Sequence, residues 1–390
     1  MTECLLYKEY PGLAETIPRA ELGKWPTPLQ PLKNLSAHLG GRSIYIKRDD
    51  LSNYLYGGNK IRKLELILAD ASRRGCREII TAGGLGSNHV LATAALSKQF
   101  GFKVIGLFFC QPVTERVREN LLLVHSFGTE MYFVKDYPGL VLGYIRLYLS
   151  SRIAGRKPLL LMPGGSSDLS TIGYINCVLE IYEQLKAGNL KEPAAIFTAA
   201  GTGGTAAGLL AGLALCRSEA KLHAVRVVRP EILPAKRITG LAKGALARLA
   251  KEKTGIAPIG RQQLEDRLEL EKDYLGPGYG FATKKALEAI KLFRELEGIE
   301  LEECYTAKAA AAMIDYCRAN GQTRKDPVIF IHTASSTHTR NGEKLSGPEA
   351  LPADFRWCFS DEARHCRCSL QKQNKSFCAA ISQPGWRWPV

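Results

Sequence analysis

Seven short runs of aliphatic and β-branched residues alternate with stretches of helical spacing along most of this chain, and that alternation leaves few folds open. The runs fall at 43–47, 78–81, 104–109, 130–134, 195–198, 222–228 and 328–331. Helical patterns follow at 61–74, 88–100, 114–127, 171–187, 204–217, 281–297 and 306–319. A strand that returns through a helix runs in the same direction as its predecessor. The order therefore predicts an α/β protein with open, twisted, mainly parallel sheets. At 390 residues the chain is long enough for more than one lobe.

Composition narrows the class by exclusion. With 45% hydrophobic and 23% charged residues the chain is ordinary for a globular protein. No stretch approaches eighteen uninterrupted apolar residues, and residues 1–8 lack the basic, apolar, small-residue order of a signal peptide. We expect a cytoplasmic protein with no membrane partner. The eleven cysteines have irregular spacing and no Cys-x-x-Cys, which reads as free thiols. Cys366-Arg367-Cys368 is too small a set for structural zinc, and no metal site is expected. The net charge of +15 is dispersed among acids. Its densest stretch, 229–253, sets Lys236, Arg237, Lys243, Arg248 and Lys251 around Ile238, Leu241, Ala245, Leu246 and Leu249, the pattern of a solvated helix face. No nucleic-acid partner is expected. After residue 335 the periodic patterns stop. Two readings fit residues 336–390, an extension without fixed structure and the product of a shifted reading frame.

Three segments carry chemistry. Lys60 follows Gly57-Gly58-Asn59 at the start of an apolar-periodic helix (Leu64, Ile67, Leu68, Ala71), where its amine can form an imine with an aldehyde cofactor. Pyridoxal phosphate is the leading case. Residues 198–205, Thr-Ala-Ala-Gly-Thr-Gly-Gly-Thr, join a strand to a small-residue helix, so that backbone amides and a helix N-terminus converge as a phosphate cradle. The spacing is neither a Walker loop nor a dinucleotide fingerprint. Gly86-Ser87-Asn88 presents a small polar pair on a third glycine turn.

These segments, together with Gly58-Asn59-Lys60-x-Arg62-Lys63-Leu64-Glu65, Gly278-Tyr279-Gly280, Tyr305-Thr306-x-Lys308-Ala309 and Ile331-His332-Thr333, occur in the order found in the D-cysteine desulfhydrase and 1-aminocyclopropane-1-carboxylate deaminase family. The chain resembles that branch of the tryptophan synthase β-like pyridoxal phosphate enzymes over about residues 15–333. The resemblance implies two α/β domains with the cofactor cleft between them: a small domain at 50–165, and a large one from 1–49 and 166–335. It also implies a homodimer. Lys60 would hold the cofactor and Lys63 would reach its phosphate, beside Gly201, Thr202, Gly203, Gly204 and Thr205. Asn88 would meet the cofactor 3-hydroxyl and Thr333 its pyridine nitrogen. Ser87 would meet the substrate carboxylate or assist proton transfer, and Tyr279 and Tyr305 would face the substrate.

Departures from the family pattern steer the reaction. Thr306 and Thr333 stand where the deaminase branch has glutamate and leucine, which favours the desulfhydrase branch. Expulsion of a good thiolate from Cβ needs less electron withdrawal than opening a cyclopropane ring, and a neutral threonine opposite the pyridine nitrogen suits the milder demand. The expected function is a pyridoxal phosphate-dependent lyase converting D-cysteine to pyruvate, ammonia and hydrogen sulfide. The cyclopropane amino acid, a β-substituted alanine or cysteate are alternative substrates. Ala334-Ser335-Ser336 replaces the family's two glycines after Thr333 and leaves a further alternative, a chain that binds cofactor without turnover. Gly86 stands where many relatives have glutamine.

Overall fold

The computed structural model describes residues 4–252, 254–320, 326–333 and 347–360. Among the described residues ten strands form two sheets: β1 (Leu29–Pro31), β2 (Ile44–Lys47), β3 (Glu78–Gly84), β4 (Lys103–Phe109), β5 (Glu130–Val134), β6 (Pro158–Leu161), β7 (Ala195–Ala200), β8 (Lys221–Arg226), β9 (Leu268–Glu271) and β10 (Val328–Ile331). The six-stranded sheet has the order β1-β2-β10-β7-β8-β9 and the four-stranded sheet β5-β4-β3-β6. Every pairing is parallel except β1 with β2. The described helices of eight residues or more are α1 (Asn59–Arg73), α2 (Asn88–Ser97), α3 (Glu115–Ser126), α4 (Tyr137–Ile153), α5 (Asp168–Ala187), α6 (Gly204–Leu215), α7 (Ala235–Lys251), α8 (Lys284–Glu297) and α9 (Thr306–Asn320). Among the described residues no helix is long and apolar enough to cross a membrane.

The described residues fall into two compact units. One holds the chain through Ile67 together with Ser166 to Thr333, and the other holds Leu68–Gly165 with residues 347–360. The division lies inside α1, whereas the sequence reading starts the smaller domain at residue 50. Residues 50–67 stay with the larger unit for a physical reason. Arg62 is ion-paired with Asp49 and Glu180, and Glu65 accepts from Trp25, Arg19 and the amides of Leu22 and Gly23.

The larger core is built on β7, buried along its whole length, and on α5 packed against α6. The two helices approach closely because glycines face the contact. A Cβ at Gly208 would stand 2.3 Å from the Cβ of Tyr174, and one at Gly212 would stand 2.7 Å from Val178. That packing fixes where the N-terminus of α6, with its glycine loop, emerges from β7.

Strands β1, β6 and β9 and helix α4 have no counterpart among the sequence expectations. The three strands have only three or four residues, and two of them contain proline. Helix α4 escapes a periodicity search because its outer face is apolar too, with Leu142, Ile145, Leu149 and Ile153 all exposed.

Of the tail at 336–390, the structure describes only residues 347–360, which do not fit an extension without fixed structure. Residues 347–360 are folded: Phe355 is fully buried, with its ring 5.5 Å from Phe108 and 6.1 Å from Phe133 in edge-on contacts. The Arg118 guanidinium donates to the Cys358 carbonyl at 2.9 Å. Ala334-Ser335-Ser336, residues 337–346 and residues 361–390 lie outside the described residues.

Candidate active site

Helix α1 begins with two glycines that side chains would obstruct. A Cβ at Gly57 would lie 1.8 Å from the Asp50 carbonyl oxygen, and Gly58 sits at φ +100°. Asn59 then joins three motifs. Its backbone N–H donates to the Thr333 carbonyl at 3.0 Å, and its side-chain amide donates to the Thr205 hydroxyl at 2.9 Å. Lys60 follows, half-buried, and burial lowers its amine from the ordinary 10.5 to about 8.

One helical turn on, Lys63 is buried and donates to the Ser166 hydroxyl at 3.1 Å. Ser166 Oγ lies 2.7 Å from Thr202 Oγ1 and accepts from the Gly204 N–H at 3.2 Å. Gly203 is left-handed at φ +90°, and a Cβ at Gly204 would stand 2.6 Å from Ser166 Oγ and 2.8 Å from Lys63 Nζ. Glycine at 204 thus lets an ammonium and a hydroxyl reach the loop backbone. Arg237, near the start of α7, donates from Nε to the Thr202 carbonyl at 3.2 Å. Burial, then the nearby Lys60 and Arg237, push Lys63 well below its ordinary value, and burial lowers Arg237. Among the described residues neither Lys60 nor Arg237 forms an ion pair. Neither Ser166 nor Arg237 is among the residues that the sequence singles out for this site. Lys236, Lys243 and Lys251 are exposed as a solvated face requires, but Arg237 turns inward.

Arg62, between the two lysines, points into a different environment. Its guanidinium makes two bonds to Asp49, both 2.8 Å, and two to Glu180 at 2.7 and 2.8 Å. Trp25 covers it with a ring centroid 3.9 Å away. Lys47 pairs with Glu180 at 2.9 Å, and Tyr174 donates to Asp49 at 2.6 Å. Burial alone would raise both carboxyls, but Arg62 and then Lys47 hold them below the ordinary range.

Also in the larger unit, the hydroxyls of Tyr279 and Tyr305 lie 2.8 Å apart, and burial raises both far above the ordinary tyrosine value. The side chain of Glu302 sets Tyr305 in place by accepting from the amides of Cys304, Tyr305 and Thr306 at 2.9, 2.5 and 2.7 Å. Thr306 returns the bond, its hydroxyl accepting from the Glu302 N–H at 2.9 Å, and is fully buried. The Thr306 hydroxyl therefore belongs to the cap of α9. Thr333 is buried at the end of β10.

In the second unit, the turn after β3 presents Ser87 and Asn88, both half-buried. Ser87 caps α2 by accepting from the Val90 N–H at 3.3 Å. Gln111 lies across the turn: a Cβ at Gly84 would stand 2.1 Å from its Oε1, and one at Gly86 would stand 3.0 Å from its Nε2. A side chain at 86 would meet Val117 Cγ2 first, at 2.7 Å, and the movable end of Gln111 next. Asn120, from α3, donates to the Gly86 carbonyl at 2.9 Å and to Asn88 Oδ1 at 3.2 Å.

The chain belongs to the pyridoxal-phosphate dependent enzyme family, whose sequence pattern matches residues 20–334. Among its relatives, D-cysteine desulfhydrase of Salmonella choleraesuis (strain SC-B67) is 35% identical over 326 residues, spanning 82% of this chain and 94% of that protein. D-cysteine desulfhydrase of Klebsiella pneumoniae subsp. pneumoniae matches with the same identity and spans. A crystal structure of a 1-aminocyclopropane-1-carboxylate (ACC) deaminase homologue superposes with a TM-score of 0.71 at 34% identity, covering 84% of this chain and 94% of that one. Threonine deaminase isoform 2 of Solanum lycopersicum shares the fold alone, with a TM-score of 0.57 at 19% identity over 85% and 90% of the two chains. The protein is an α/β enzyme that uses pyridoxal phosphate.

Proposed function

We propose that this enzyme is a β-eliminating lyase acting on D-cysteine, with Lys60 as the lysine that holds the cofactor. One observation carries the reading. Lys60, its amine lowered to about 8, shares a helix with Lys63, which reaches a cradle of two hydroxyls and a backbone N–H. The donor set, Lys63 Nζ, Ser166 Oγ, Thr202 Oγ1, the Gly204 N–H and Thr205 Oγ1, fits a phosphate monoester, with Arg237 as a further cation. The naming of two 35% identical relatives as D-cysteine desulfhydrases supports the choice of substrate.

Pyridoxal phosphate, when bound, supplies the electron sink for negative charge left at Cα. Lys60 Nζ takes the α-proton near neutrality, where its lowered pKa leaves part of it unprotonated. Thiolate then leaves from Cβ. With one water consumed the products are pyruvate, ammonia and hydrogen sulfide. Tyr279 and Tyr305 stay protonated across the working range and serve as neutral donors facing the substrate. The Ser87 hydroxyl, which accepts from Val90, keeps its own hydrogen for the substrate carboxylate. Asn88 donates to the cofactor 3-oxygen, and Thr333 faces the pyridine nitrogen. We further read the enzyme as a cytoplasmic homodimer acting on a free amino acid, the dimer and the compartment resting on likeness to relatives.

A near-ultraviolet to visible spectrum of the purified protein, followed by D-cysteine, L-cysteine and 1-aminocyclopropane-1-carboxylate with assays for pyruvate, 2-oxobutyrate and sulfide, tests the reading. A visible band with pyruvate and sulfide from D-cysteine is expected. 2-Oxobutyrate from the cyclopropane substrate would move the enzyme to the deaminase reaction. A band without any product would mark a cofactor-binding protein disabled beyond Thr333.

A further inference from the structure

We infer that Asn120 is a positioning residue for the reaction, fixing which end of the Asn88 amide is turned outward, so that Asn88 offers a donor and not an acceptor. The inference rests on the reading of Asn88 as the partner of the cofactor 3-oxygen.

One backbone carbonyl, that of Gly86, sets the orientation. Asn120 is 1% exposed, and its Nδ2 lies 2.9 Å from the Gly86 carbonyl oxygen and 3.2 Å from Asn88 Oδ1. A carbonyl oxygen only accepts, so the nitrogen end of the Asn120 amide must face Gly86. The same nitrogen directs its second hydrogen at Asn88, so the atom of Asn88 that meets it must be oxygen. Turned over, Asn88 would set one NH2 group against another. The orientation of both amides, ordinarily ambiguous, is settled by the chain Gly86 C=O, Asn120 NH2, Asn88 C=O. Asn88 Nδ2 is left on the far side with two hydrogens, and among the described residues nothing accepts from it.

Gly86 makes the arrangement possible. A Cβ there would stand 2.7 Å from Val117 Cγ2 on α3, the helix that carries Asn120, so a side chain would hold the turn away from Asn120. A donor at the 3-oxygen favours its ionised form through a charge-assisted bond. Asn120 touches neither substrate nor cofactor in this scheme; it acts through Asn88.

The test compares the bound cofactor's ratio of long-wavelength to near-ultraviolet absorbance, at one fixed pH, in the wild-type holoenzyme and in Asn88→Ala, Asn120→Asp and Asn120→Ala. Aspartate keeps the shape of asparagine but only accepts, so it draws the Asn88 NH2 inward and turns its carbonyl outward. Asn88→Ala and Asn120→Asp should each lower the ratio by at least about threefold, with Asn120→Ala lowering it less. A packing role alone would make the alanine variant the worse of the two. If Asn88→Ala lowers the ratio and Asn120→Asp leaves it at the wild-type value, the inference is overturned while the reading of Asn88 stands. No change in Asn88→Ala removes that reading and the inference with it. Should Asn120→Asp fail to fold, a wild-type ratio in Asn120→Ala overturns the proposal.

Discussion

Three charged side chains within the first turn and a half of α1, Lys60, Arg62 and Lys63, live under opposite electrostatic rules. Around Arg62 the charges balance: Arg62 and Lys47 face Asp49 and Glu180, all four buried and each hydrogen-bonded. Beside Lys63, the cations Lys60 and Arg237 add to a site where burial already disfavours charge, and among the described residues neither of those two forms an ion pair. A protein closes a buried ion network on itself when the network serves the fold, since one missing partner leaves a stranded charge. A cationic cluster that, among the described residues, has no matching carboxylate at Lys60 and Arg237 is set up for an anion from outside. The contrast separates structure from function within one turn of helix.

The sharpest way to break the comparison is to remove one member from each side. Lys60→Ala should lower turnover of D-cysteine at least about a thousandfold and abolish the visible cofactor band. A retained band would remove Lys60 from its role. Arg62→Met leaves Asp49 and Glu180 with Lys47 as their remaining buried cation and should cost about 3–5 kcal/mol, read from the urea midpoint of the cofactor-free protein. A midpoint equal to wild type would show that the network is not structural.

Arg237→Met should do the reverse, changing cofactor-free stability by less than about 0.5 kcal/mol. Its affinity for pyridoxal phosphate should fall about tenfold, as measured by fluorescence titration, while affinity for unphosphorylated pyridoxal changes little. Equal losses for both ligands would place Arg237 outside the phosphate site.

The smallest effect is a pH dependence. Lys60 has a folded value of about 8 against an ordinary 10.5, so between those values the unfolded chain binds more protons. Stability of the cofactor-free protein should therefore rise as pH increases through that window, and the burial cost is present in full below it. Lys60→Met should melt about 2 °C above wild type below pH 8 and converge with it toward pH 10.5. A constant offset across the window would mean that Lys60 does not titrate there.

Much of this was legible before any coordinates. Parallel β/α alternation, the glycine loop after β7 and the lysine after Gly57-Gly58 are local signals, written in adjacent residues. What escaped the sequence is written between distant ones. Ser166 reads as one more loop serine until the fold sets it against Thr202 and Gly204, and Arg237 reads as part of a solvated face because its neighbours are. Asn120 did leave a trace: it is the polar residue on the face of α3 that buries Val117, Leu121 and Val124. Thr306 has a use that its place beside Tyr305 does not announce, the hydroxyl bonding with Glu302 in a helix cap. The folded stretch 347–360 has no period to read and is held instead by Phe355 seated between Phe108 and Phe133.

Asn59 bonds to Thr205, 146 residues downstream, and to Thr333, which follows the last strand of its sheet. During synthesis the lysine beside it emerges early and must wait for nearly the whole described chain before its surroundings are complete. Closing so long a loop is slow, and until β10 docks, the start of α1 lacks one of its two anchors. A nascent or truncated chain ending short of Thr333 would therefore carry Lys60 on a helix start that lacks one of its two ties, which makes the placement of that side chain depend on synthesis having passed β10.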